Sequence, residues 1–64
     1  MLLLDVLIWI SQQGYKDDSI FVLDLADILI DIDYLLNTPN SGGITVKNIE
    51  FFNDSVVITI NEYD

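Results

Sequence analysis

The sequence contains no cysteine, no histidine and no arginine. Without cysteine and histidine, the chain cannot form a disulfide and lacks the side chains that hold most zinc and other transition-metal ions. The same absence removes the nucleophiles and bases of the common catalytic triads. We therefore predict that the protein is not an enzyme and uses neither a cofactor nor a metal.

Positive charge is also scarce. Asp and Glu together number 11, against Lys16 and Lys47 only, and the formal net charge is -9. A chain with this charge repels nucleic acids and anionic lipid surfaces and attracts basic surfaces. The composition predicts no direct binding to nucleic acid or to a membrane, and it favours a basic protein as the partner.

The length of 64 residues allows one small acidic domain, residues 1–64. Such a domain buries only about 60% of the surface that its unfolded chain exposes, so a lone core is marginally stable. Hydrophobic residues nevertheless make up 52% of the chain, more than a sphere of this size can hide. Because large exposed apolar patches mark interfaces, we expect a homodimer or a higher homo-oligomer.

The apolar N-terminal stretch MLLLDVLIWI lacks the pattern of a targeting or membrane segment. It has no positively charged start, Asp5 interrupts it, and it is too short to span a bilayer. It predicts a helix from about Leu2 to Gln13 that ends at Gly14, with a buried strand as the alternative. We expect a cytoplasmic protein, in the host cell cytoplasm if a phage encodes it.

A second helix is predicted up to Leu36. Asp17, Asp18 and Ser19 are candidate N-caps at its start, and the turn-forming run at 37–43 follows its end.

The last third of the chain predicts an antiparallel β-hairpin over residues 44–63. Val56, Ile58 and Ile60 alternate with other residues in the period of a half-buried strand. The turn-forming residues Asn53–Asp54 mark its turn. The alternation of apolar residues shifts by one position near Lys47–Asn48, which indicates a β-bulge. The expected fold class is α+β: two helices followed by a C-terminal antiparallel β-hairpin (ααββ), as a dimer.

Three acids of the predicted second helix, Asp24, Asp27 and Asp31, have the spacing i, i+3 and i+7 and would share one helical face. Such a row either solvates the helix or imitates the phosphates of a nucleic acid and occupies a basic groove. Asp17 and Asp18 would extend its negative field.

Two other residues are singled out by their position on these helices. Asp33 projects away from the row, where it lies at a rim, forms a buried ion pair or acts as a functional acid. Trp9 lies on the polar side of the first helix with Asp5 and Gln12. We therefore expect Trp9 to be partly exposed and to bind a partner.

The stretch DDSIFVLDLADIL resembles the Asp-Ser helix start at which acyl carrier proteins take their phosphopantetheine group, with Asp18–Ser19 as the whole motif. That family implies a helix bundle, for which this chain is too short, and we interpret Ser19 as an N-cap. The pair Asp31 and Asp33 lacks the glycine turn and the ligand spacing of an EF-hand loop.

The leading functional hypothesis is a small acidic inhibitor that binds a basic, nucleic-acid-binding host protein, as a phage-type nucleic-acid mimic would. Its predicted partner-binding residues are Asp17, Asp18, Asp24, Asp27, Asp31 and Trp9. The alternative is a structural or assembly module, or an antitoxin- or immunity-like oligomeric partner, that uses its apolar surface. The first hypothesis predicts a salt-sensitive complex and the second a salt-resistant one.

Overall fold

A computed structural model describes residues 1–39 and 41–61 of the chain. These residues form a small α+β fold with two helices and a four-stranded mixed sheet. In chain order the elements are α1 (Leu3–Gln12), β1 (Ile20–Leu23), β2 (Leu29–Ile30), α2 (Ile32–Leu36), β3 (Val46–Phe51) and β4 (Val56–Ile60), with 3₁₀ turns at Asp17–Ser19 and Ser41–Gly43.

The first helix confirms the helical interpretation of the N-terminal stretch. It buries Leu3, Val6 and Ile10, which the spacing i, i+3 and i+7 places on one face. Gly14 follows the helix with a φ of 95°, the left-handed conformation that glycine adopts without strain. Its N–H donates to the Ser11 carbonyl at 3.2 Å, which satisfies one of the last carbonyls of the helix.

The C-terminal hairpin is also confirmed over the described residues. β3 and β4 pair antiparallel, and their register shifts between Val46 and Asn48, which places the bulge at Lys47 as predicted. The Phe52 N–H donates to the Ser55 carbonyl at 2.8 Å and closes the turn at Asn53–Asp54. The predicted end of the hairpin, residues 62 and 63, lies outside the described residues.

The predicted order ααββ is wrong, because the hairpin is only half of a larger sheet. The strand order is β2-β1-β4-β3, and β1 runs parallel to β4 with Ile20 opposite Val56 and Leu23 opposite Thr59. β2 is an edge strand and pairs antiparallel with β1. The two central strands therefore come from opposite halves of the sequence.

The predicted second helix, up to Leu36, is wrong over most of its length. Ile20–Leu23 instead form β1, because the run IFVL is rich in β-branched and aromatic residues and alternates between buried and more exposed positions. Helix forms only at Ile32–Leu36, where the Asp31 side chain accepts the Asp33 N–H at 3.0 Å and caps the first turn. Ser19 accordingly ends a 3₁₀ turn before a strand and does not cap a long helix.

The core lies between the two helices and one face of the sheet. Every second residue of β1 and β4 points to this face, as the period of a strand requires. The buried hydrophobic residues are Leu3, Val6, Ile10, Ile20, Val22, Leu35, Ile44, Val56, Ile58 and Ile60.

Candidate functional site

The sheet is incomplete beside the first half of β1. β2 pairs with β1 only at Val22 and Leu23, so in the described part of the chain Ile20 and Phe21 have β4 on one side and no paired strand on the other. After Ile30 the chain leaves the sheet and forms α2. A groove of about 860 Å³ lies at this place, between α1, the start of β1 and α2. Its volume is within the range of ligand-binding clefts, roughly 300–1,000 Å³.

We call this space the acidic groove. Its polar lining consists of Ser11 and four acidic residues, Asp17, Asp18, Asp31 and Asp33. Its apolar lining consists of Leu7, Ile8, Ile20, Phe21, Leu29, Ile30, Ile32 and Leu36.

Half of the apolar lining is exposed to solvent. Ile8 is 59% exposed, Phe21 39%, Leu29 61% and Leu36 41%. These side chains come from four different elements, so none of them would form such a surface within its own segment. Exposed apolar side chains that surround one space are the usual mark of a binding surface.

The four carboxylates come from two segments. Asp17 and Asp18 lie in the 3₁₀ turn before β1, and Asp31 and Asp33 lie at the start of α2. All four side chains are exposed. Over residues 1–39 and 41–61, no three acidic side chains come close enough together to hold a metal ion.

The predicted row of Asp24, Asp27 and Asp31 on one helical face is wrong, because no helix connects these residues. The Asp24 side chain accepts the N–H groups of Ala26 at 2.8 Å and Ile28 at 3.0 Å, and so closes the turn between β1 and β2. Asp27 has a φ of 61°, a left-handed conformation that Asp tolerates in turns. Neither residue lines the acidic groove, and Asp31 is the one member of the row that does.

Asp33 is the groove residue that the sequence analysis placed apart from the others. It is exposed, which excludes the buried ion pair among the three alternatives given for it. The fold brings it beside the groove with Asp17, Asp18 and Asp31 because the helix starts at Ile32 and not near Ser19. Asp31 as a helix N-cap was the signal that could have indicated this start.

Trp9 is 47% exposed, which confirms its predicted partial exposure. Its ring meets Phe51 of β3 edge to face, with the ring centroids 5.8 Å apart and the planes at 82°. Tyr15 also contacts Phe51, with the two ring centroids 6.3 Å apart. We call Trp9, Tyr15 and Phe51 the aromatic cluster, and none of the three lines the acidic groove.

No protein-family profile, curated protein or solved structure matches this chain. Neither described helix has the length and apolar character needed to cross a membrane.

Proposed function

We propose that the protein binds a basic protein and blocks it, by holding a cationic, partly apolar segment of that partner in the acidic groove. One observation carries this proposal: four acidic residues and four exposed large hydrophobic residues line the same space. The predicted partner-binding residues Asp17, Asp18 and Asp31 belong to it, and Asp33 joins them.

The two kinds of lining have different physical roles. Burial of apolar surface favours association, at about 25 cal/mol per Å² removed from water before the entropy lost on binding is subtracted. The carboxylates speed the encounter with a basic partner and disfavour acidic ones. Neither Lys16 nor Lys47 lines the groove, so the chain does not place its own cation there. A partner that enters the groove and displaces water from these acids therefore has to bring the cationic groups that pair with them.

The regular spacing of acids on one helical face was the argument for imitation of nucleic-acid phosphates, and the structure does not contain that row. The net charge of -9 and the groove still support a basic partner. A nucleic-acid-binding protein is one member of that class, because its binding surface is rich in Lys and Arg.

A charge-matched pair of triple variants tests the proposal. The groove variant carries Asp17→Asn, Asp18→Asn and Asp33→Asn, and the control carries Asp5→Asn, Glu50→Gln and Asp54→Asn, at three exposed acids outside the groove. The probe is a labelled peptide of Lys and Leu, titrated by fluorescence anisotropy at low and high salt. We expect the groove variant to bind about tenfold more weakly than the control, since each exposed pair contributes up to about 1 kcal/mol. Equal weakening in both variants would mean that net charge alone attracts the peptide.

A second candidate function, an oligomeric assembly module, is favoured by the aromatic cluster. Trp9 and Phe51 are each about half exposed, at 47% and 50%. A partner copy that covered these rings would form a salt-resistant contact. Light scattering of the wild type and of Trp9→Ala, at low and high salt, checks this. A monomer mass for the wild type at all concentrations would exclude the module.

A further inference from the structure

We infer that the segment held in the acidic groove is an amphipathic, cationic α-helix. The inference rests on the proposed function, because it names the kind of segment that the groove binds. It depends on three features of the groove: its charge, the few backbone groups that it offers, and the arrangement of its apolar side chains.

Charge excludes a second copy of this chain as the occupant. A second copy would bring 11 further acids and 2 lysines to a space that already has four carboxylates. Anionic lipid and nucleic acid are disfavoured for the same reason. The occupant therefore carries Lys or Arg beside its apolar side chains.

Few backbone groups are available for pairing with an added strand. The edge strand β2 has only two residues, and short edge strands are a common way to prevent strand addition. The backbone N–H at Ile20, where the 3₁₀ turn ends, already donates to the Asp17 carbonyl. An extended peptide in the groove would therefore have several N–H and C=O groups without a protein partner, and each of them that is buried against the apolar lining would cost free energy.

An α-helix avoids that cost, because its backbone groups bond to one another. Its apolar stripe can insert between Ile8 of α1 and Leu36 of α2, while basic residues beside the stripe reach the carboxylates. Asp17 and Asp18 are available from one segment, and Asp31 and Asp33 from another.

Two peptides of identical composition test the inference. Each contains about 14 residues of Leu and Lys; one places Leu at the helical spacing i, i+3, i+4 and i+7, and the other alternates Leu and Lys in the strand period. Binding to the full chain is measured by calorimetry, and peptide helicity by the circular dichroism of the mixture minus that of the protein. We expect the helical-period peptide to bind about tenfold more tightly and to gain helicity on binding.

Matched single variants locate the apolar contact. Ile8 and Ile28 are similarly exposed, at 59% and 61%, but only Ile8 lines the groove. We expect Ile8→Ser to weaken binding of the helical-period peptide several-fold, and Ile28→Ser to leave it unchanged.

The possible results separate the two proposals. If the alternating peptide binds as tightly as the other, and the groove triple variant still weakens that binding relative to the control, the helical occupant is wrong and the proposed function stands. If neither peptide loses affinity in the groove variant relative to the control, both are overturned. Equal effects of Ile8→Ser and Ile28→Ser would overturn the assignment of the helix to this groove.

Discussion

Ile8 and Trp9 are neighbours on α1, yet they belong to two exposed apolar regions of different character. Trp9 contacts Phe51, which also contacts Tyr15, so the members of the aromatic cluster have partners within the molecule. Ile8 borders the acidic groove, whose apolar side chains surround a space and lie beside four carboxylates. Fractional exposure does not distinguish the two residues, since Ile8 is 59% exposed and Trp9 47%.

The difference leads to separate expectations for the two regions in the folded monomer. An aromatic pair adds about 0.5–1.5 kcal/mol beyond the burial of its area, so the cluster contributes to stability even where water reaches it. The groove's side chains gain their remaining burial only when something enters. Substitutions in the cluster should therefore change stability, and substitutions in the groove should change binding.

The largest expected effect is on the stability of the protein, from a substitution in the aromatic cluster. Phe51 and Phe52 are almost equally exposed, at 50% and 51%, but the aromatic contacts found in the described residues involve Phe51 and not Phe52. We expect Phe51→Ala to lower the free energy of unfolding by about 2 kcal/mol, and Phe52→Ala to lower it by about 1 kcal/mol less. Urea denaturation followed by Trp9 fluorescence and by circular dichroism measures both. Equal losses would remove the distinction between the two regions.

A smaller effect is expected at Asp31, which takes part in both folding and the groove. Asp31→Ala removes the cap of α2 and should lower stability by about 1 kcal/mol. Asp31→Asn keeps an oxygen that accepts the Asp33 N–H, so stability should stay nearly unchanged. Both variants remove the charge, so both should weaken binding of the helical-period peptide to a similar extent, as measured by calorimetry. If Asp31→Asn bound as the wild type does, this carboxylate would have a structural role alone.

The smallest expected effect is at Asp27, an acid outside the groove. Its φ of 61° is strained for most side chains and free of strain for glycine. Asp27→Gly should raise the free energy of unfolding by about 0.5 kcal/mol, because Asp already tolerates this conformation better than most residues. Peptide affinity should not change. Loss of affinity would show that the negative field extends beyond the groove lining.

The sequence predicts the elements that depend on local patterns and misses those that depend on distant contacts. α1 follows from the spacing of Leu3, Val6 and Ile10, and the hairpin follows from the alternation in β4. β1 has β-branched and aromatic residues that suit a strand, but its segment also has helical spacing, and the pairing with β4, about half the chain away, decides between the two.

The groove shows the same limit. The negative charge of this region could be predicted from the sequence, because several Asp residues lie near Ser19 and α2 and few lysines accompany them. Which acids share the space depends on where the chain leaves the sheet after Ile30. The turn between β1 and β2 holds Asp24 and Asp27, and the start of α2 at Ile32 places Asp33 in the same groove lining as Asp17 and Asp18.

The parallel pairing of β1 with β4 makes the groove depend on residues that never touch its occupant. Every lining residue falls between Leu7 and Leu36, whereas the strand that holds β1 in place starts at Val56. A cut of the chain near residue 40 would thus give a first fragment that contains all the lining residues but only two paired strands. Two paired strands are marginally stable in water on their own. Peptide binding that is regained when the second fragment is added would turn the groove into a reporter of fragment reassembly.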